Sequence, residues 1–322
     1  MSHQHIPKVE LHCHLDGIVD PSILRAMQRD GLEPAISPET LEGLYPIEDF
    51  GSFVRWGSVV DEALEGDMDA FRPILATHLE RLKSQNVVYS EIMLPSSELP
   101  RDRSELLYRV RAFRNWVRTI EDGQVQVEFL VGILRSRTPE FVEELAEMIL
   151  LLYQAGLIVG VALAGPEQGN PVEPFQRTFH RFHEAGLGIE IHAGEWCGPE
   201  SVWDALEHGF PDRIGHGVAV FADPRLLRHV QEERVHLEMC PTSNVRTGSV
   251  RRIEEHPVWL AKEMGLSFSI NTDDPGAFEC SMESEFQLVS DLFGFRHEHF
   301  EKIKRDALEA RFQPVLRHRV VG

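Results

Sequence analysis

His12 and His14 stand two residues apart, and on an extended segment that spacing places both side chains on one face. A pair so placed can bind a single ion. Three further groups lie downstream: His192-Ala193-Gly194-Glu195, Gly215-His216-Gly217 and Asp273-Asp274, each closing a short apolar run. The combination suggests one hard or borderline cation held by three neutral imidazoles and one carboxylate, with an open position for water. That donor set suits Zn2+, one per chain. A bound zinc lowers the pKa of its water to about 7, so the implied chemistry is metal-assisted hydrolysis. Glu195, three residues after His192, is near such a site without having to be a ligand and is placed to shuttle protons. The run Val161-Ala162-Leu163-Ala164-Gly165 contains no lysine to bridge a second ion, which favours one metal over two.

Each piece alone has an ordinary explanation. With 16 histidines in 322 residues, chance yields roughly one His-x-His pair, and His3/His5 and His297/His299 read as solvated surface pairs. His192 by itself reads as a hydrogen-bonded core histidine, and His216 between two glycines as a loop turn. Asp273-Asp274 before Pro275 reads as a helix N-cap. Their recurrence at successive strand ends is what favours a site.

Eight β-rich apolar runs position these residues: 9–14, 87–94, 125–134, 157–165, 187–195, 213–217, 235–240 and 266–272. Helical stripes fall between them, as at Leu106, Val110, Phe113, Val117 and Ile120, and a closing helix carries Phe300, Ile303, Ala307 and Leu308. Strands alternating with helices predict a (β/α)8 TIM barrel, a single domain over residues 1–322, with its chemistry at the C-terminal strand ends. The alternative, a doubly wound open sheet, wants a glycine-rich phosphate turn after its first strand, and none follows. The long interval 15–86 predicts a helical insertion after strand 1. Its Phe50, Phe53, Val54, Trp56 and Val60 either wall the site or only pack the insertion onto the barrel.

Composition removes several classes of function. The 32 Lys+Arg against 52 Asp+Glu give a net charge of −20, which argues against a nucleic-acid polymer as partner. Cys13, Cys197, Cys240 and Cys280 are scattered, so neither a disulfide framework nor a thiolate zinc cage is expected. The polar N-terminus has no apolar signal region. Residues 148–165 are nearly all apolar, but their helical spacing and Gly156 and Gly160 predict a helix end running into a buried strand instead of a membrane span. A soluble cytoplasmic protein acting on a small molecule is the expectation.

The motifs also resemble a known family. Pro7-Lys8-Val9-Glu10-Leu11-His12-Cys13-His14-Leu15-Asp16-Gly17 resembles the opening of the adenosine deaminase family, in the amidohydrolase superfamily. The segments His192–Glu195, Arg213-Ile214-Gly215-His216-Gly217, Cys240-Pro241-Thr242-Ser243-Asn244 and Asn271-Thr272-Asp273-Asp274-Pro275 match its later motifs in order, so the resemblance spans about residues 7–312. It implies zinc ligands His12, His14, His192 and Asp273, and a catalytic set of Glu195, His216 and Asp273. Glu195 would protonate purine N1, and His216 would orient and help deprotonate the water attacking C6. His14, Asp16, Gly165 and Asp274 would meet the substrate, Asp274 at N7 and the Gly165 N–H at N3. Ammonia then leaves a 6-oxopurine.

The resemblance speaks to the substrate as well. Asp16 matches a residue that contacts a ribose 5′-hydroxyl, which favours adenosine or 2′-deoxyadenosine, giving inosine or 2′-deoxyinosine. Gly215 points the same way, since adenine deaminases commonly carry Asp there. Ala162 and Pro166 stand where Asp is usual in adenosine deaminases, and Glu167-Gln168-Gly169-Asn170-Pro171 is similar to the adenine-deaminase branch. The alternatives are adenine itself and a 5′-modified adenosine such as aminodeoxyfutalosine. A non-catalytic binding protein would have lost Glu195, His216 or a ligand, and none is lost.

Overall fold

Leucine, valine and isoleucine-rich runs bounded by helices here form eight parallel strands, in a computed structural model that describes residues 5–64 and 68–314. They are β1 (Lys8–Glu10), β2 (Val87–Pro95), β3 (Gln126–Leu134), β4 (Gly160–Ala164), β5 (Gly188–Ala193), β6 (Arg213–His216), β7 (His236–Met239) and β8 (Phe268–Ile270). Their spatial order is the chain order, as a (β/α)8 barrel requires. The stripe from Leu106 to Val117 is the buried face of the helix Arg103–Ile120, whose first turn is capped by Asp102 accepting from the N–H groups of Ser104 and Glu105. Residues 148–165 divide as expected into the end of the helix Pro139–Gln154 and strand β4. Among the described residues no helix is long and apolar enough to cross a membrane.

The first strand differs from its expected 9–14 span. Regular pairing ends at Glu10, and residues 11–14 instead bridge the two strands on either side. The Asp273 N–H donates to the His12 carbonyl at 3.1 Å, and the His14 N–H donates to the Asp273 carbonyl at 2.9 Å. On the other flank, the Met93 N–H donates to the Cys13 carbonyl at 2.8 Å. The barrel therefore closes through the segment that carries the histidine pair. Splaying this segment between two neighbours satisfies its backbone while leaving the side chains aimed inward.

At the opposite end the barrel is plugged. The Phe312 ring lies 3.5 Å over the buried Arg213 guanidinium, and its N–H donates to Glu91 at 2.8 Å. A Cβ on Gly188 would sit 2.3 Å from Phe312 Cγ, and one on Gly160 would sit 2.6 Å from its Cδ2, so these glycines make the seat for the ring.

The insertion packs as helices Pro21–Arg29, Pro38–Glu42 and Phe50–Leu64, followed by Phe71–Ser84 against β2. The expectation that its apolar residues pack the insertion onto the barrel is met in part. Trp56 and Val60 are buried, while Val54 faces outward. Phe50 meets Trp196, in the loop after β5, at 4.6 Å, and Phe53 meets Phe278 at 5.1 Å.

Candidate active site

The histidines and aspartate expected to act together are brought together at the C-terminal rim. His12 Nε2 and Asp273 Oδ1 are 3.2 Å apart, His14 Nε2 and Asp273 Oδ1 3.3 Å, and His14 Nε2 and His192 Nε2 3.3 Å. The ligand atoms of all four residues lie within 4.8 Å of one another. Ligands about 2.0–2.1 Å from a tetrahedral zinc would be separated by about 3.3 Å, so these edges have the size the ion needs. His12 Nε2 is buried and makes no hydrogen bond, an orphaned atom that a cation would satisfy. The residues fit a metal.

Carboxylates behind two of the imidazoles fix their orientation. His12 Nδ1 lies 2.8 Å from Glu238 Oε2, and His192 Nδ1 lies 3.0 Å from Glu190 Oε1. Such partners orient ligating histidines and raise their basicity. Burial and the adjacent Glu238 push the Glu190 carboxyl up to about 8. Gly215 leaves the room Glu190 occupies, since a Cβ there would fall 2.1 Å from Glu190 Oε1. The Ser243 hydroxyl donates to Asp273 Oδ2 at 2.6 Å, leaving Oδ1 toward the histidines.

Glu195 and His216 face each other across this cluster, with His216 Nε2 3.5 Å from Glu195 Oε2. Burial, reinforced by Asp273 and Glu167, holds the Glu195 carboxyl well above the usual range, which favours its protonated form. Burial also pushes His216 down to about 3 and keeps it neutral. His216 (φ 60°) and Asp273 (φ 66°) both adopt left-handed backbone, which costs a non-glycine residue about 1–3 kcal/mol and aims both side chains from tight turns.

Asp274 does not cap a helix. The next helix, Met282–Phe293, is capped by Ser281 instead. The Asp274 carboxyl rests against Gly17, where a Cβ would lie 2.1 Å from its Oδ1. Burial and the Asp273 charge raise its pKa well above the usual range, which favours its protonated form. Asp16 and His14 line a cleft of about 100 Å³, with Ser96, Ser97, Arg137 and Ala164. Gly165 closes β4 at φ +93°, a conformation that favours glycine. Of the outlying histidine pairs, His297 and His299 begin the helix His297–Ala310, where His299 Nδ1 accepts from the Arg296 N–H, and His3 lies outside the described residues.

Sequence reasoning gave no role to Glu190, Glu238, Ser243, Asn244, His256 or Glu167. For the first two a signal existed. Glu190 stands two residues before His192, on the same face of β5, and Glu238 two residues after His236 on the interior of β7.

A (β/α)8 barrel with three histidines and an aspartate at its C-terminal rim defines a metal-dependent hydrolase of the amidohydrolase superfamily. The adenosine deaminase family model matches residues 7–321. The chain is 35% identical to an adenine deaminase of Rhizobium leguminosarum bv. trifolii over 312 residues, covering 96% of this chain and 95% of that protein. It is 31% identical to an adenine deaminase of Agrobacterium fabrum over 310 residues, covering 96% and 94%. An adenine deaminase structure from Arthrobacter aurescens superposes with a TM-score of 0.83 at 27% identity, covering 95% of this chain and 94% of that one. The chain belongs to the adenosine deaminase family, and it is a hydrolytic purine deaminase.

Proposed function

We propose that the substrate is adenine, deaminated to a 6-oxopurine and ammonia with one Zn2+ held by His12, His14, His192 and Asp273. The observation that carries this reading is near full-length similarity to proteins named adenine deaminase, at up to 35% identity among those compared. It reverses the order favoured by Asp16, which had put the nucleoside first.

The metal, when bound, supplies a water with a pKa near 7 and polarises the reacting centre. The protein's own groups do the rest. The Glu195 carboxyl delivers its proton to ring N1, which makes C6 electrophilic as water adds there. His216 orients that water. The protonated Asp274 donates to N7, and the Gly165 N–H meets N3. Collapse of the adduct breaks the C6–N bond and releases ammonia.

The test is turnover by the purified, zinc-loaded protein, followed by ultraviolet absorbance, on adenine, adenosine and 2′-deoxyadenosine side by side. Adenine should give the highest kcat/KM. Higher kcat/KM on either nucleoside would overturn the choice and return Asp16 to the role of sugar-side selector. Activity on none of the three, with zinc bound, would point to a 5′-modified nucleoside.

A further inference from the structure

Behind His216 runs a chain of hydrogen bonds whose direction is set at its far end. His216 Nδ1 lies 3.1 Å from Asn244 Nδ2, and Asn244 Oδ1 lies 3.1 Å from His256 Nε2. His256 Nδ1 in turn receives the backbone N–H of Val258 at 3.1 Å. All three side chains are buried, with at most 1% exposure, so water cannot substitute for any partner. Asn244 is itself anchored: its N–H donates to the Cys240 carbonyl at 2.9 Å, and its carbonyl accepts from the Val250 N–H at 2.8 Å.

Imidazoles and amides can each donate or accept, so the middle links alone leave two directions open. A backbone N–H only donates. Val258 therefore makes His256 Nδ1 an acceptor, and a neutral His256 then carries its proton on Nε2. Burial pushes His256 down to about 3, so it is neutral. Its Nε2–H donates to Asn244 Oδ1, which turns the amide nitrogen of Asn244 toward His216. That nitrogen donates to His216 Nδ1, and the His216 proton is left on Nε2, the atom that faces Glu195.

We propose that Asn244 and His256 are positioning residues that hold His216 in its Nε2–H form, so that it serves the reacting centre as a hydrogen-bond donor and not as a base. A carboxylate in the place of Asn244 would do the opposite, drawing the proton to Nδ1 and leaving Nε2 basic. The consequence for the reaction, which rests on the deaminase reading above, is a division of labour. Glu195 first gives its proton to ring N1. Its carboxylate then takes the proton leaving the attacking water and passes it to the departing amino group, which leaves as ammonia. The remaining hydroxyl proton restores the acid form of Glu195. His216 gains and loses none; its N–H fixes the attacking oxygen and steadies the negative charge that develops on it.

The test is a long-range 1H–15N spectrum of the zinc-loaded protein labelled at histidine, with the His216 ring assigned by its absence in His216→Gln. The proposal expects a pyrrole-type Nε2 and a pyridine-type Nδ1. Asn244→Asp should move the proton to Nδ1 and lower kcat on adenine by about 10²-fold with KM changed only a few-fold, since the wrong tautomer misdirects the reacting group. His256→Gln keeps a donor toward Asn244 and should retain the Nε2–H form, while His256→Leu should not. A wild-type ring protonated on Nδ1 overturns the proposal. So does an Asn244→Asp enzyme whose tautomer changes while kcat does not. The spectrum needs no substrate, so it stands whether or not adenine proves to be the substrate, and the wild-type spectrum decides the tautomer even if a variant does not fold.

Discussion

The Glu167 carboxylate accepts the backbone N–H of Glu195 at 2.8 Å, and it takes the neighbouring N–H groups of Gly194 and Trp196 as well, at 2.8 and 2.7 Å. The Ser201 hydroxyl is a fourth donor. One buried carboxylate from the loop after β4 thus fixes the peptide from which Glu195 projects.

Glu167→Gln is expected to lower kcat by about 10–100-fold while zinc content stays at the wild-type level. The amide keeps one acceptor oxygen but turns an NH2 group toward donors that need an acceptor. Hydrogen bonds to a charged group are worth about 1.5–3 kcal/mol each, so the loop would shift before that arrangement is tolerated. Steady-state kinetics with metal analysis check it. An unchanged kcat would mean that the loop holds its shape without Glu167.

Chemistry and metal binding should separate cleanly between two substitutions. Glu195→Gln removes the proton but no ligand, so metal content should hold while kcat falls by about 10²-fold or more. His12→Ala removes a ligand and leaves Glu238 without its imidazole partner, so metal and activity should disappear together. Metal analysis of both variants beside their rates decides. Retained activity in Glu195→Gln would remove it as the proton donor.

The contrast between Glu195 and Glu167 shows what a sequence displays and what it hides. Period-two spacing put His12 and His14 on one face, and strand ends put His192, Glu195 and His216 on one rim, because local geometry fixes those relations. The eight strands were legible for the same reason, since alternation of apolar runs and helical stripes is a local pattern. Glu167 acts on residues 27–29 positions away through an irregular loop whose path no periodicity encodes. Glu238 and His12 are 226 residues apart and meet only because the barrel closes. Seen in the sequence, Glu190 and Glu238 are charges inside apolar runs, with nothing to say which imidazole each will face. The early end of β1 was hidden for a related reason: its last residues pair with Asp273 and Met93, contacts that exist only after closure.

Gly188→Ala should destabilise the fold by about 1–3 kcal/mol, the usual cost of forcing extra volume into a packed interior. The added methyl would meet the Phe312 ring at 2.3–2.4 Å and must drive it off Arg213, which the ring covers at 3.5 Å. Thermal unfolding of Gly188→Ala beside Phe312→Ala measures the effect. Similar losses in both would fit a seat made for the ring. No loss in Gly188→Ala would mean that the plug has slack.

Glu285 should impose a pH dependence on stability that is independent of the metal centre. It is fully buried at the start of the helix Met282–Phe293, where it accepts the Thr242 N–H at 3.1 Å and pairs with the Thr242 hydroxyl. Burial raises its pKa from an ordinary 4.5 to about 7. The unfolded chain therefore loses this proton near pH 4.5 while the folded chain keeps it to about pH 7. Across that window the folded state binds more protons, so stability falls as pH rises, and above it the contribution is level. At 1.36 kcal/mol per pH unit the whole window is worth about 3 kcal/mol. Glu285→Gln cannot ionise, and its amide can still accept from the Thr242 N–H and donate to the hydroxyl. The variant should therefore gain on the wild type between pH 5 and pH 8, by up to about 3 kcal/mol. Urea unfolding of both proteins at the two pH values measures this directly. A stability difference that is the same at both would mean that Glu285 ionises in the folded protein as readily as in the unfolded chain.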